Sequence, residues 1–371
     1  MDEKIITLGK YTFERAHVVK TLLESAGIEC FLQNINLLQG AIASGVKVRI
    51  NEEDLEKAMS IVESWLKPDE SPKTANDGED RDSTLARILL PIDFSDYSRK
   101  AADFAFDWAE TVGAEITLLH AYFDPVINSL PFTDTYMYDA NLEELAVDLK
   151  ENGEKGLAEM RDYLLRKNIQ GKVFIKTALS KGVAEDEIIR YSKVYAPNVI
   201  IMGTRGKDRK STDLIGSVTA EVIEMARVPV LAIPEDFPYS GIGSLHNVLY
   251  ATNFEEADFK ALEILERLLK PLGVKIICAH VGSDNKKQWD EVRMAGLREY
   301  LKKRYNETDV VCDLVLNEDF WVGIENYIQD KSIDMLCITT YRRNIISRLL
   351  NPSVAKKMLF HSTTPLLVFH A

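Results

Sequence analysis

Asn198-Val199-Ile200-Ile201-Met202-Gly203-Thr204-Arg205-Gly206, then nine residues, then Gly216-Ser217, is the stretch whose reading decides the fold. Asn198 to Met202 is a short apolar run rich in β-branched residues, and Val218 to Ala226 follows a helical pattern. The glycines therefore join the end of a strand to the start of a helix. That junction is where an α/β sheet receives a phosphate. Gly203 and Gly206 let the backbone turn tightly and approach a ligand with no Cβ in the way. Gly216 and Ser217 stand where the next helix begins, with free N–H groups and the positive end of the helix dipole. Ser217 can cap that helix or give its hydroxyl to a phosphate oxygen. The competing reading is that these glycines serve turns and caps and bind nothing.

Working outward, strand and helix alternate on both sides of the junction. Ile88 to Asp93 reads as a strand ending in a carboxylate, and Ala101, Ala102, Ala105, Phe106, Ala109 and Val112 mark a helix. Ile116 to Ala121 is a buried strand, about 141 to 168 a long amphipathic helix, Val173 to Thr177 a third strand and Glu185 to Val194 a short helix. Val230 to Ile233 closes the unit. This alternation predicts an α/β fold, a mostly parallel sheet with helices on both faces.

The unit is then repeated. Leu90-Pro91-Ile92-Asp93-Phe94 lines up with Tyr250-Ala251-Thr252-Asn253-Phe254 at an offset of 160, which also sends Lys100-Ala101 to Lys260-Ala261, Gly113 to Gly273 and His120 to His280. Val228-Pro229-Val230-Leu231 meets Thr364-Pro365-Leu366-Leu367 at an offset of 136, so the first copy carries 24 extra residues between its second and fourth strands. Ungapped register at both ends marks a duplicated domain.

Residues 85 to 371 resemble two tandem universal stress protein domains. The resemblance lies in Pro91-Ile92-Asp93-Phe94-Ser95, Leu118-Leu119-His120, Val199 to Gly206 and Val228-Pro229-Val230-Leu231. The spacing Gly203-x2-Gly206-x9-Gly216-Ser217 is that of the family's ATP-binding subgroup. The resemblance implies two doubly wound, Rossmann-like domains of the adenine nucleotide alpha hydrolase type, paired about a two-fold axis through their closing strands as an internal pseudo-dimer. It also implies an adenine-nucleotide site, for ATP, AMP or ADP, with Mg2+ able to accompany the phosphates. Asp93 would face the adenosine, and Pro91 and Ala121 would border the base. Met202 and Gly203 would approach the ribose and phosphates. Gly206, Gly216, Ser217 and Val218 would cradle the phosphates, with Arg205 and Thr219 as further candidates. Lys207, Arg209 and Lys210 can neutralise phosphate charge or simply face solvent.

The second copy departs from this pattern. By the same offsets Asp93 becomes Asn253, Gly203 becomes Thr339, Gly206 becomes Arg342 and Gly216 becomes Pro352, while Ser217 is kept as Ser353. Side chains would fill the phosphate space and Pro352 lacks an N–H, so this copy is read as non-binding. Arg342, Arg343 and Arg348 remain able to face an anion or solvent. His120 and His280 occupy equivalent strand ends, one of them in the degenerate copy, which favours a structural role over catalysis. No catalytic residue and no metal cluster are assigned. The aromatic-rich segment from Phe123 to Asp139 can be a lid, a contact with the other copy, or ordinary packing.

Residues 1 to 66 form a separate small unit with the order βαββα, a ferredoxin-like α+β layer. Its strands are Ile5 to Leu8, Ile28 to Leu32 and Val46 to Ile50; Gly27 ends the first helix and Asn51 caps the second. It resembles a small signal-transducing-protein domain found in bacteria, through Leu22 to Ile28, Val46-Lys47-Val48 and Glu53 to Ala58. His17 stands alone on a helix and is read as a surface residue. Residues 67 to 84 are polar and rich in turn formers, a linker. The domains are therefore expected at 1–66, 85–236 and 237–371.

The net charge of −13 argues against nucleic-acid or anionic-membrane partners. The four cysteines form no CxxC pair, which fits buried reduced thiols and a reducing compartment. A charged start with no long apolar run after it, and no stretch near the ~18 apolar residues of a membrane span, lead us to expect a cytoplasmic protein. The expected function is ATP-dependent regulation in a stress response, exerted through an unidentified protein partner, with further homodimerisation open. A slow ATP hydrolase and a scaffold that binds no nucleotide are the rivals. No general base stands beside the glycine loop and no Walker-type lysine follows it.

Overall fold

The computed structural model describes residues 5–11, 13–33, 46–55, 57–59, 61, 86–122, 140–169, 171–204, 216–304, 311–340 and 363–370. The chain divides into two compact units that part at Thr84/Leu85.

In the first unit, β1 (Ile5–Tyr11), β2 (Cys30–Gln33) and β3 (Val46–Asn51) form an antiparallel sheet in the order β1-β3-β2. Helix α1 (Phe13–Ser25) covers one face, because Ala16, Val19 and Leu23 recur at helical spacing and meet Ile28, Cys30, Val48 and Ile50. The helix ends as its sequence requires. Gly27 takes φ +76°, and the Ile28 N–H reaches back to the Leu23 carbonyl at 2.9 Å. Asn51 stands at the N-cap position of a short 3-10 turn, Glu52–Asp54, as the sequence suggests, but its side chain makes no capping bond. The side chain of His17 lies outside the described residues.

The second unit holds the duplicated fold. The first copy runs β4 (Arg87–Pro91), α2 (Asp96–Val112), β5 (Glu115–Tyr122), α3 (Ala140–Lys167), β6 (Phe174–Lys181), α4 (Ala184–Tyr195), β7 (Val199–Gly203), α5 (Ser217–Met225) and β8 (Val230–Ile233). The second runs β9 (Asn247–Ala251), α6 (Glu256–Leu269), β10 (Lys275–Gly282), α7 (Lys287–Arg304), β11 (Val311–Leu316), α8 (Phe320–Asp330), β12 (Met335–Thr340) and β13 (Leu366–His370). The first residues of β4 and β5 lie 160 positions from those of β9 and β10, and those of β7 and β8 lie 136 from those of β12 and β13. The two offsets read from the sequence are thus the two halves of the fold.

All ten strands form one sheet, in the order β11-β10-β9-β12-β13-β8-β7-β4-β5-β6. Within each copy neighbouring strands are parallel; among the described residues of this sheet only β13 and β8 pair antiparallel. In that seam Leu367 faces Leu231, its own equivalent in the repeat, with Leu366 against Ala232 and Val368 against Val230. The pseudo-two-fold axis therefore passes through the Leu231–Leu367 pair, and both side chains are fully buried.

The inner strands are apolar on both faces, and their alternation divides the core. Leu90, Ile116, Leu118, Val199, Ile201 and Leu231 enter one cluster with helices α2, α3, α6 and α7. Leu89, Leu119, Ile200, Met202, Val230 and Ala232 enter the other, with α4, α5 and α8. Each cluster runs through both copies. All four cysteines are buried free thiols. Among the described residues no helix is long and apolar enough to cross a membrane.

Candidate functional site

Strand order reverses between β4 and β7. The first copy turns one way to β5 and β6 and the other way to β7 and β8. In such sheets the crevice at the carboxyl ends of the two central strands receives the ligand. Pro91 ends β4 and Gly203 ends β7, so these two sequence-predicted residues stand at the switch point.

Beyond β4 the chain makes a tight, strained corner. Phe94 sits at φ +62°, left-handed for a bulky residue. Ser95 is the N-cap of α2, its hydroxyl accepting from the Ser98 N–H at 3.2 Å. Asp93 is not the cap. Its carboxylate accepts from the Ser95 N–H at 3.1 Å and from the Ser95 hydroxyl at 2.6 Å, so it supports the cap from the crevice side of the corner. His120, near the end of β5, holds the corner from beside it. Its Nδ1 lies 2.8 Å from the Ile92 carbonyl, which requires a proton on that nitrogen, and its ring lies 4.4 Å from that of Phe94. His280 repeats this on Thr252 and Phe254, at 2.7 Å and 4.5 Å, and Phe254 takes φ +61°. Both histidines therefore brace the corner in either copy.

At the end of β7, Gly203 has a packing reason to be glycine. A Cβ there would lie 2.9 Å from the Tyr97 carbonyl carbon and 3.0 Å from its oxygen, in the first turn of α2. The chain leaves the sheet at Thr204 and returns at Gly216, whose N–H donates to the Thr204 carbonyl at 2.7 Å. Arg205, Gly206 and the basic residues Lys207, Arg209 and Lys210 lie outside the described residues, as does the aromatic segment 123–139.

Gly216 is the N-cap of α5 and Ser217 its first residue, so Ser217 is not the cap. With glycine in that place no side chain caps the first turn. Those N–H groups stand beside the switch point with the dipole's positive end. Thr219 is buried, and its hydroxyl donates to the Gly203 carbonyl at 2.9 Å, fastening α5 to the end of β7. Val218 is half-buried and packs on the core. Met202 is buried in the core, so its backbone rather than its side chain is offered to the crevice. Ala121 is half-buried on β5.

In the second copy the equivalent strand ends and helix start carry a buried hydrogen-bonded network that sequence reasoning missed. The Tyr250 hydroxyl reaches Asp258 at 2.9 Å and Thr339 at 2.6 Å; the Thr252 hydroxyl reaches the other Asp258 oxygen at 2.9 Å. The same oxygen accepts the N–H groups of Asn253 and Glu255 at 2.8 and 3.2 Å. All four side chains are buried. Burial, and then the Asp258 carboxylate, pushes the Tyr250 hydroxyl well above the usual tyrosine range. In the first copy these positions are Leu90, Ser98, Ile92 and Gly203. The signal was present in the offset of 160, which aligns an apolar pair and a serine with a tyrosine, a threonine and an aspartate.

Residues 84–234 and 244–370 match the family model described as the universal stress protein family. Residues 14–66 match one described as "Putative prokaryotic signal transducing protein". A universal stress protein of Bacillus subtilis is 28% identical over 148 residues, 40% of this chain and 97% of that protein. One from Methanocaldococcus jannaschii is 29% identical over 147 residues, 40% of this chain and 81% of that protein. The solved structure of a universal stress protein from Archaeoglobus fulgidus aligns with a TM-score of 0.58 over 76% of this chain and 96% of that one, at 19% identity, a likeness of fold. With the family model spanning both halves of the ten-stranded sheet, the chain belongs to the universal stress protein family.

Proposed function

We propose that the chain is an adenine-nucleotide-dependent regulator that takes ATP, or its AMP or ADP relatives, at the first copy and acts through contact with a protein partner. The observation that carries this reading is the contrast between the two switch points. The first joins a glycine-capped helix start to a glycine strand end, beside Asp93. In the second, Thr339 stands where the first has Gly203, tied into a buried network with Tyr250, Thr252 and Asp258. The same fold therefore accepts a side chain at that strand end.

In the first copy Asp93 would receive the adenosine, with Pro91 and Ala121 beside the base. The backbone at Met202 and Gly203 and the first turn of α5, at Gly216, Ser217 and Val218, would take the phosphates, helped by Arg205 and Gly206. Thr219 would act through Gly203 rather than on the ligand. Mg2+ would ride on the phosphates; among the described residues no group of three or more His, Cys, Asp or Glu side chains is placed to hold a metal. The test is the supernatant of purified, denatured protein. Adenine nucleotide approaching one per chain is expected, with phosphate release from added ATP slower than about 1 per second. No nucleotide, together with no uptake of added ATP, would leave the scaffold reading; faster release would make the protein a hydrolase.

A further inference from the structure

Helix α5 is held at both ends, and by different copies. At its start the Gly216 N–H meets the Thr204 carbonyl and the Thr219 hydroxyl meets the Gly203 carbonyl, both within the first copy. At its other end the Ile223 carbonyl accepts from Nε2 of His370, the last residue of β13, at 2.5 Å. Ile223 lies in the last turn, where an α-helix leaves carbonyls without intrahelical partners. A donor there also meets the negative end of the dipole.

His370 is itself fixed within the second copy. It pairs with Thr340 in the sheet, and the Thr340 hydroxyl donates to the carbonyl of the preceding residue, Phe369, at 3.3 Å. The Phe369 ring packs on Tyr250, a member of the buried network, with 6.4 Å between centroids. The offset of 136 maps His370 onto Pro234, which has no side-chain donor with which to return the contact.

We propose that His370 is a positioning residue through which the second copy sets the glycine-capped end of α5, and with it the affinity of the first copy for a phosphate-bearing ligand. A nine-residue helix, about 13 Å long, moves as one stiff body, so fixing its last turn fixes the direction of its first N–H groups. The affinity part rests on the nucleotide reading given above; the mechanical part does not. On this view the degenerate copy is retained because it holds the working one in shape.

Amide hydrogen exchange and ATP calorimetry on the full chain, as wild type, His370→Ala and His370→Gln, test the proposal. In His370→Ala the amides of α5 should exchange about five- to tenfold faster while those of β4 and β5 keep their rates, as expected for one lost hydrogen bond. ATP should bind about five- to tenfold more weakly to that variant. His370→Gln keeps an N–H donor and should restore both, and it serves as the test if the alanine variant does not fold. Unchanged exchange in α5, or equal loosening throughout the sheet, overturns the proposal whether or not ATP binds. Absence of ATP binding in the wild type sinks the nucleotide reading, and the exchange rates still decide whether His370 holds the helix.

Discussion

A Cβ on Gly203 would strike the Tyr97 backbone at 2.9 Å. Gly203→Thr should therefore destabilise the protein by about 1–3 kcal/mol through overpacking. Urea unfolding measures the loss, and an unchanged midpoint would show that the glycine has no packing role. This residue marks the limit of the sequence reading. Spacing identified Gly203 as the end of a strand at a loop, but the cause given for it, approach of a ligand, is only one of two. The second, the first turn of α2, is a contact between residues more than a hundred positions apart, and no local pattern carries it. Asp93 and Ser217 teach the same lesson. Their places at strand-to-helix junctions were legible, whereas which residue caps each helix, Ser95 two places after Asp93 and Gly216 one before Ser217, is not settled by composition.

The elements themselves were legible because the inner strands of the ten-stranded sheet are apolar on both faces, as Val199–Gly203 is, and helices such as α2 and α6 carry an apolar stripe, so type and order follow from the pattern. The registers followed from the repeat, since two offsets place four pairs of equivalent strands. The buried network joining β9, β12 and α6 was not legible, because Tyr250 and Thr252 read as ordinary strand residues until Asp258 is placed against them. That network has a pH signature. Burial, and then Asp258, raises the pKa of Tyr250 in the folded state, while the unfolded hydroxyl ionises near ~10. The stabilisation is thus complete below pH ~10 and is lost as pH rises beyond it, because only the unfolded chain releases the proton. Denaturant unfolding between pH 8 and 11 should show stability falling with pH, and Tyr250→Phe should make that slope shallower by about one proton. The variant should also lose about 1–3 kcal/mol at neutral pH, since Asp258 and Thr339 lose a buried partner. An unchanged alkaline slope would mean that the hydroxyl is not held neutral by the fold.

At the scale of the molecule, the antiparallel seam of β8 and β13 turns two five-stranded halves into one sheet, with Leu231 and Leu367 on the pseudo-two-fold axis. Both core clusters cross that seam, so the halves should unfold together. Leu367→Asp places an unpaired carboxylate there and should cost about 3–5 kcal/mol, dividing one unfolding transition into two. A single transition at unchanged midpoint would show that the seam contributes little. Symmetry of fold and asymmetry of sequence at the strand ends are the central feature of this chain: the same ten-stranded frame ends a central strand in Gly203, beside a glycine-capped helix, in one half and carries Thr339 in a buried polar network in the other. Isothermal calorimetry with ATP on the full chain, as wild type and as Gly216→Arg, tests that claim most directly. The account expects one site per chain in the wild type and none in the variant, with the fold intact by circular dichroism; two sites, or an unaltered site in Gly216→Arg, would contradict it.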